Sequence, residues 1–127
     1  VARLLKSGGK ACVQTIVIDD SLFDRYVKST DFIQQYIFPG GCLPCPREFR
    51  AHAERAGLKV VDELAFGLDY AETLRRWRHQ FMADKTQVLQ LGFDERFIRI
   101  WEFYLAYCEA AFEQHNTDVV QYTLVKP

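Results

Sequence analysis

The sequence predicts an α/β fold in which a small sheet of three strands serves a larger layer of helices. Three observations predict it. Residues 11–18 (ACVQTIVI) form a nearly continuous β-rich apolar run, as in a strand covered on both faces. Residues 58–66 and 119–125 are the other strand candidates. Between them lie several helical patterns, the longest starting at Asp94 and rich in aromatic side chains. A complete doubly wound sheet has more strands than this, so the pattern reads as a half-sheet with its helices.

The elements follow in order. Val1–Lys6 reads as the tail of a helix ended by Gly8 and Gly9. After the first strand, Asp19, Asp20 and Ser21 offer caps for a short helix through about Lys28. Asp31–Phe38 reads as a second short helix, stopped by Pro39, Gly40 and Gly41. Pro46 opens a third as its first residue, and Gly57 closes it. Asp69, with Glu72 three residues on, is the expected cap of the next helix. In that helix Tyr70, Leu74, Trp77 and Phe81 share one face, and Arg75, Arg76 and Arg78 lie off it. A short helix near Thr86–Leu91 ends at Gly92. Asp94 then starts the longest helix, to about Gln114, with Phe97, Trp101, Tyr104, Cys108 and Ala111 in one stripe. Such a helix is buried or faces a large apolar ligand.

Composition narrows the classes of function. A chain of 127 residues fits one domain that holds a core without staples. A net charge of −1 argues against a nucleic-acid footprint, which needs a basic excess. No run of about 18 apolar residues appears, so no membrane-spanning helix is expected. The cysteines at 12, 42, 45 and 108 are scattered and read as the reduced thiols of a cytoplasmic protein. Cys42 and Cys45 form a C-x-x-C pair, either two loop thiols or half of a zinc or redox site. No metal site is assigned. The basic patch at Arg75 and Arg76 is either a solvated helix face or a contact for phosphate headgroups. Phe97, Trp101, Tyr104 and Phe112 are either core or the lining of an acyl-chain tunnel.

Residues 31–44 (DFIQQYIFPGGCLP) resemble the YIFPGG-LP signature of cyclopropane-fatty-acyl-phospholipid synthases and the related mycolic-acid methyltransferases. Residues 66–70 (FGLDY), with Thr73, Leu74 and Trp77, resemble the family's FG-DY--TL--W segment. Residues 91–94 (LGFD), followed by Phe97, Arg99, Trp101, Tyr104, Leu105 and Cys108, are similar to its C-terminal helix. These segments occur in the family's order and cover almost the whole chain.

The resemblance implies the C-terminal half of a Rossmann-like class I methyltransferase sheet. Residues 11–18 would be strand five, 58–66 strand six and 119–125 strand seven, giving a three-strand mixed half-sheet with seven antiparallel between the others. The half that carries the Gly-rich turn and the acidic ribose ligand for S-adenosylmethionine would lie outside this chain, which alone would be inactive. The implied reaction methylates the double bond of unsaturated phospholipid acyl chains. A carbocation forms, and loss of a proton to bound bicarbonate closes a cyclopropane ring. Tyr70 falls at the tyrosine that helps bind bicarbonate, Ile16 at the position whose backbone contacts it, and Cys108 at a cysteine near the site. Gln14 stands where the family has a bicarbonate-binding histidine. A carboxamide hydrogen-bonds an anion but carries no positive charge, which leaves a methyl- or methylene-branched product open. The resemblance also implies a bacterial enzyme peripheral to the inner membrane. An unpaired 11–18 edge would invite a homodimer. The alternative is a non-enzymatic module that binds acyl chains or a partner protein.

Overall fold

The computed structural model describes all residues, Val1–Pro127, and its three strands form one sheet in the order β1-β3-β2. These are β1 (Lys10–Ile18), β2 (Lys59–Ala65) and β3 (Thr117–Val125). The last strand runs antiparallel to both neighbours, Lys10 opposite Val125 and Ile18 opposite Thr117 on one side. The expected order therefore holds: the two outer strands share a direction but never touch, so every pairing present is antiparallel. A bulge separates Val60 from Asp62 on β2.

Coverage of β1 differs from expectation. Only Val17 and Ile18 are buried, whereas Lys10, Cys12 and Gln14 are exposed. The reason lies in what packs on the sheet. One face carries Val17, Val120, Tyr122 and Leu124 against Ala53 and Leu58, with Phe49 stacked on Tyr122 at 4.0 Å. The other face is covered only at one end, where Ile16 and Val119 meet Ala71, Leu74, Leu105 and Phe112. The rest of that face stays open.

The helices are α1 (Asp20–Tyr26), α2 (Phe32–Tyr36), α3 (Pro46–Arg55), α4 (Gly67–Ala83), α5 (Lys85–Gln90) and α6 (Glu95–Glu113). Local chemistry accounts for most of their starts. The Asp19 side chain accepts from the Ser21 N–H, and the Asp94 side chain from the Phe97 N–H at 2.7 Å. Asp31 and Gln34 complete a reciprocal capping box on α2. Gly57, at φ 76°, takes the left-handed turn that ends α3. A bidentate Arg50–Glu63 pair, both contacts 2.7 Å, ties α3 to β2.

Two expectations give way. Residues 1–6 form a turn, not a helix, because so few residues close too few hydrogen bonds to offset nucleation. That turn is instead anchored by the Lys126 ammonium, which donates to the Ala2 and Leu5 carbonyls at 3.0 Å each. Asp69 does not cap α4. The helix starts earlier, at Gly67, whose N–H donates to Asp118 Oδ1 at 2.7 Å. The cap thus comes from β3, 51 residues away in the chain. A Cβ on residue 67 would stand 2.6 Å from that same oxygen, so only glycine fits.

Two outcomes test this account in denaturant titrations. Asp118→Ala removes the tertiary cap and lowers stability by about 1–2 kcal/mol. Gly67→Ala forces the carboxylate aside and costs a comparable ~1–3 kcal/mol. An unchanged midpoint for either variant contradicts the capping contact.

Candidate functional site

The helical hairpin of α4 and α6 brings the site together over the covered end of the sheet. From α4 come Tyr70, Leu74, Trp77 and Phe81, one residue per turn, and from α6 come Trp101, Tyr104, Leu105, Cys108 and Phe112. Ile16 of β1 and Phe38, just past α2, close the ends. These eleven side chains, all hydrophobic in character, line a cavity of about 390 Å³. A second cavity of about 660 Å³ adjoins it and shares Ile16, Phe38, Tyr104, Cys108 and Phe112 as a common wall. Its far side is mixed, with Arg25, Tyr26, Asp31, Gln34, Gln114 and Asn116.

Aromatic packing fixes the wall. The Tyr70 ring meets Phe112 edge-on at 5.1 Å and Trp77 at 6.0 Å. A ladder of rings runs along α6: Phe93 stacks on Phe97 at 4.4 Å, Phe97 on Trp101 at 5.7 Å, and Trp101 leans on Tyr104 at 5.1 Å. It leads from the exposed start of the helix into the smaller cavity. Phe38 meets Tyr104 edge-on at 6.1 Å from the other side.

The polar atoms in this wall are kept protonated. Burial pushes the Cys108 thiol up to about 11 and the Tyr104 hydroxyl up to about 12. The two groups lie one helical turn apart on α6. Burial also raises Tyr70, and the neighbouring Cys108 adds to the shift. At neutral pH the smaller cavity therefore presents O–H and S–H groups and aromatic faces, and no charged side chain lines it. Such a chamber suits an apolar ligand.

The residues singled out from the sequence separate into three groups. Tyr70, Cys108, Ile16, Trp101 and Tyr104 all line the smaller cavity. Phe97 lines neither cavity and acts as the middle rung of the ladder. Gln14 lies two residues from Ile16 on the same strand face but is exposed, its Oε1 accepting from Gln121 Nε2 at 2.9 Å. Arg75 and Arg76 stand apart from both cavities. Arg75 bridges to Glu72, Glu109 and Glu113, and Arg76 to Glu72 at 2.8 Å. Arg78 also reaches Glu109, at 3.2 Å. Glu109 is buried, so this network clamps α4 to α6 and leaves Arg75 no free donor edge for a headgroup.

Sequence reasoning missed the polar side of the larger cavity, where Tyr26 accepts from the Leu43 N–H at 2.9 Å. It also left Leu74, Trp77 and Phe81 out of the site. Their helical spacing was visible, but nothing in it showed that the two stripes face each other across a gap. Cys42 is exposed and Cys45 fully buried. The two thiols sit in opposite environments, as loop cysteines do.

The comparisons with known proteins agree with this geometry. Residues 1–122 match the family model described as mycolic acid cyclopropane synthetase. The chain is 40% identical to tuberculostearic acid methyltransferase UfaA1 of Mycobacterium tuberculosis, over 98% of this chain and 29% of that protein. It is 34% identical to cyclopropane mycolic acid synthase 3 of the same organism, over 98% of this chain and 46% of that one. The crystal structure of mycolic acid cyclopropane synthase CmaA1 complexed with SAH and CTAB superposes with a TM-score of 0.85 at 29% identity, over 98% of this chain and 46% of that one. The chain thus spans less than half the length of these relatives.

The protonated wall generates a pH prediction. Iodoacetamide at pH 8 labels the exposed Cys12 and Cys42 and spares Cys108, read by peptide mass spectrometry. Labelling of Cys108 grows only as pH approaches about 11. Because its folded value lies above the ordinary 9.0, the group binds its proton more tightly in the fold than in the unfolded chain. Its contribution to stability is complete below pH 9.0 and is lost as pH rises to about 11. Labelling of Cys108 as fast as Cys12 at pH 8 contradicts the buried placement.

Proposed function

The chain belongs to the mycolic acid cyclopropane synthetase family, and we propose that it forms the acceptor side of an S-adenosylmethionine-dependent methyltransferase acting on the double bond of unsaturated phospholipid acyl chains. One observation carries the reading: an aromatic cavity of about 390 Å³ with no charged side chain in its wall, its polar hydrogens those of the neutral Tyr70, Tyr104, Cys108, Trp77 and Trp101. An alkene needs no base to be methylated. It needs an electrophilic methyl group, the exclusion of water, and an environment that does not trap the cation it becomes.

S-adenosylmethionine supplies that methyl group as a sulfonium. The smaller cavity offers no charged side chain for the donor's amino-acid end, so we assign donor binding mainly to residues beyond the matched region. The residues of this chain do the rest. Leu74, Phe81 and Leu105 hold the acyl chain by apolar contact. Tyr104, Trp101 and Tyr70 supply the aromatic wall, and a ring face turned to the developing positive charge would stabilise it. The protonated Cys108 cannot be methylated in place of the alkene, because the thiolate is the nucleophile.

The cation must then lose a proton. The residues present do not fit a tightly held bicarbonate. No cation lines the smaller cavity, and the Gln14 carbonyl oxygen is turned to Gln121 outside it. Two hydroxyls without a positive charge hold an anion weakly. With no anion held beside the added methyl group, we assign the proton to water at the rim of the larger cavity; its loss from that methyl group leaves a methylene branch, and its loss from a neighbouring chain carbon leaves a methyl-branched alkene. The free edge of β1 is the surface we assign to strand pairing with a second copy.

Methyl-labelled donor and dioleoyl phospholipid test the reading on the intact protein. Mass spectrometry is expected to find one labelled branch carbon per converted acyl chain. Label on the headgroup, or acyl binding without transfer, overturns it; the latter is the outcome for a non-enzymatic acyl-binding module. Tyr70→Phe lowers turnover by about tenfold, the worth of one hydrogen bond in a dry site. Gln14→His restores a cationic group beside Ile16 and moves product toward the ring.

A further inference from the structure

Helix α6 sorts its charges. Its carboxylates at 102, 109 and 113 lie on the side that turns toward α4, where the latter two meet Arg75. At about 100° per residue, Arg96, Arg99, Phe103 and Tyr107 fall on a different stripe, on the side away from the Leu105 core contact. Both arginines are exposed, and neither forms an ion pair, in contrast to Arg75, Arg76 and Arg78 on α4. Glu102, three residues from Arg99, is half-buried and makes no ion pair, and the other acids nearby are occupied. Glu95 pairs with Lys85 at 3.0 Å, and Asp94 caps its own helix. Asp31, the acid closest to Tyr107, caps α2.

Below the arginines the stripe turns aromatic and joins α2. Phe103 is 52% exposed, Tyr36 52% and Phe38 55%, and the Phe32 ring bridges them, 4.7 Å from Phe103 and 5.3 Å from Tyr36. Phe38 and Tyr107 also line the larger cavity, so the patch is continuous with the rim of the site.

We propose that this α2–α6 face, with Arg96 and Arg99 as its anion contacts and Tyr36, Phe38 and Phe103 as its apolar anchors, docks on an anionic phospholipid surface. The proposal rests on the acyl-transfer reading above and places the membrane contact on it. Unpaired guanidinium groups beside exposed aromatic rings match a headgroup layer in charge and in polarity. They also stand beside the cavity that has to receive a chain drawn from that layer. The headgroup contact moves from Arg75 and Arg76, which carboxylates already hold, to the two arginines that nothing holds.

Vesicle sedimentation tests it. The protein is expected to bind dioleoylphosphatidylglycerol vesicles, bind dioleoylphosphatidylcholine vesicles more weakly, and lose the difference in high salt. R96Q/R99Q weakens binding to the anionic vesicles by about twenty-fivefold, the product of about fivefold per arginine. R76Q, which removes an exposed but paired cation, leaves it unchanged. Equal binding by R96Q/R99Q and wild type, an equal loss in R76Q, or no preference for anionic vesicles overturns the docking face. Tryptophan fluorescence with added oleate separates this from the acyl reading, since Trp77 and Trp101 both line the smaller cavity. Oleate binding that survives in R96Q/R99Q while vesicle binding falls supports the docking face. No oleate response alongside arginine-dependent vesicle binding also supports it, and sinks the acyl cavity.

Discussion

Everything in this molecule depends on how far the α4–α6 pair covers the sheet. Val119 and Val120 are consecutive, point to opposite faces of β3, and are both buried. That is possible only where both faces are roofed. Further along, β3 buries Tyr122 and Leu124 on one face only, and the other face opens at Gln14 and Gln121. The same boundary that ends the hydrophobic cover also ends the site. Ile16 lies just inside it and Gln14 just outside. The hairpin is held at that boundary by two polar devices, the Asp118 cap on Gly67 and the Arg75 clamp on three carboxylates.

How much of this could be read from the chain follows from which interactions are local. The caps at Asp19, Asp31 and Asp94 are local, and the helices they start were legible. The cap on α4 comes from Asp118, and a nearer Asp69 was the natural but mistaken choice. Apolar runs located the strands; their one-sided cover depended on helices elsewhere. In the site, the stripes on α4 and α6 were visible as periodicity. The smaller cavity between them, and the larger one walled by α1, α2 and the segment after α2, depend on contacts between elements far apart in the chain. Arg75 looked like part of a basic patch because two of its three carboxylate partners lie 34 and 38 residues on, although Glu72, which it shares with Arg76, stood within one helical turn.

Charge and its absence are therefore segregated by position. Ionic groups bind helix to helix at the rim, helix to strand at Arg50–Glu63, and chain start to chain end at Lys126. The interior wall keeps its hydroxyl and thiol groups neutral by burial alone. Chemistry on a hydrocarbon demands this division. A base or thiolate in the wall would intercept the cation, whereas paired charges at the edge leave the interior dry.

Phe38 occupies an unusual place in that division. It is shared by both cavities, more than half exposed, and carried on a short segment between α2 and a glycine turn. A ring so placed behaves as a diaphragm between two chambers. Trimming it to a small residue merges them into one longer channel, and enlarging it shortens the reach of either. On the acyl-transfer reading proposed above, exchange at this one peripheral residue would shift the tail length accepted, with the cavity wall around Tyr70 left untouched.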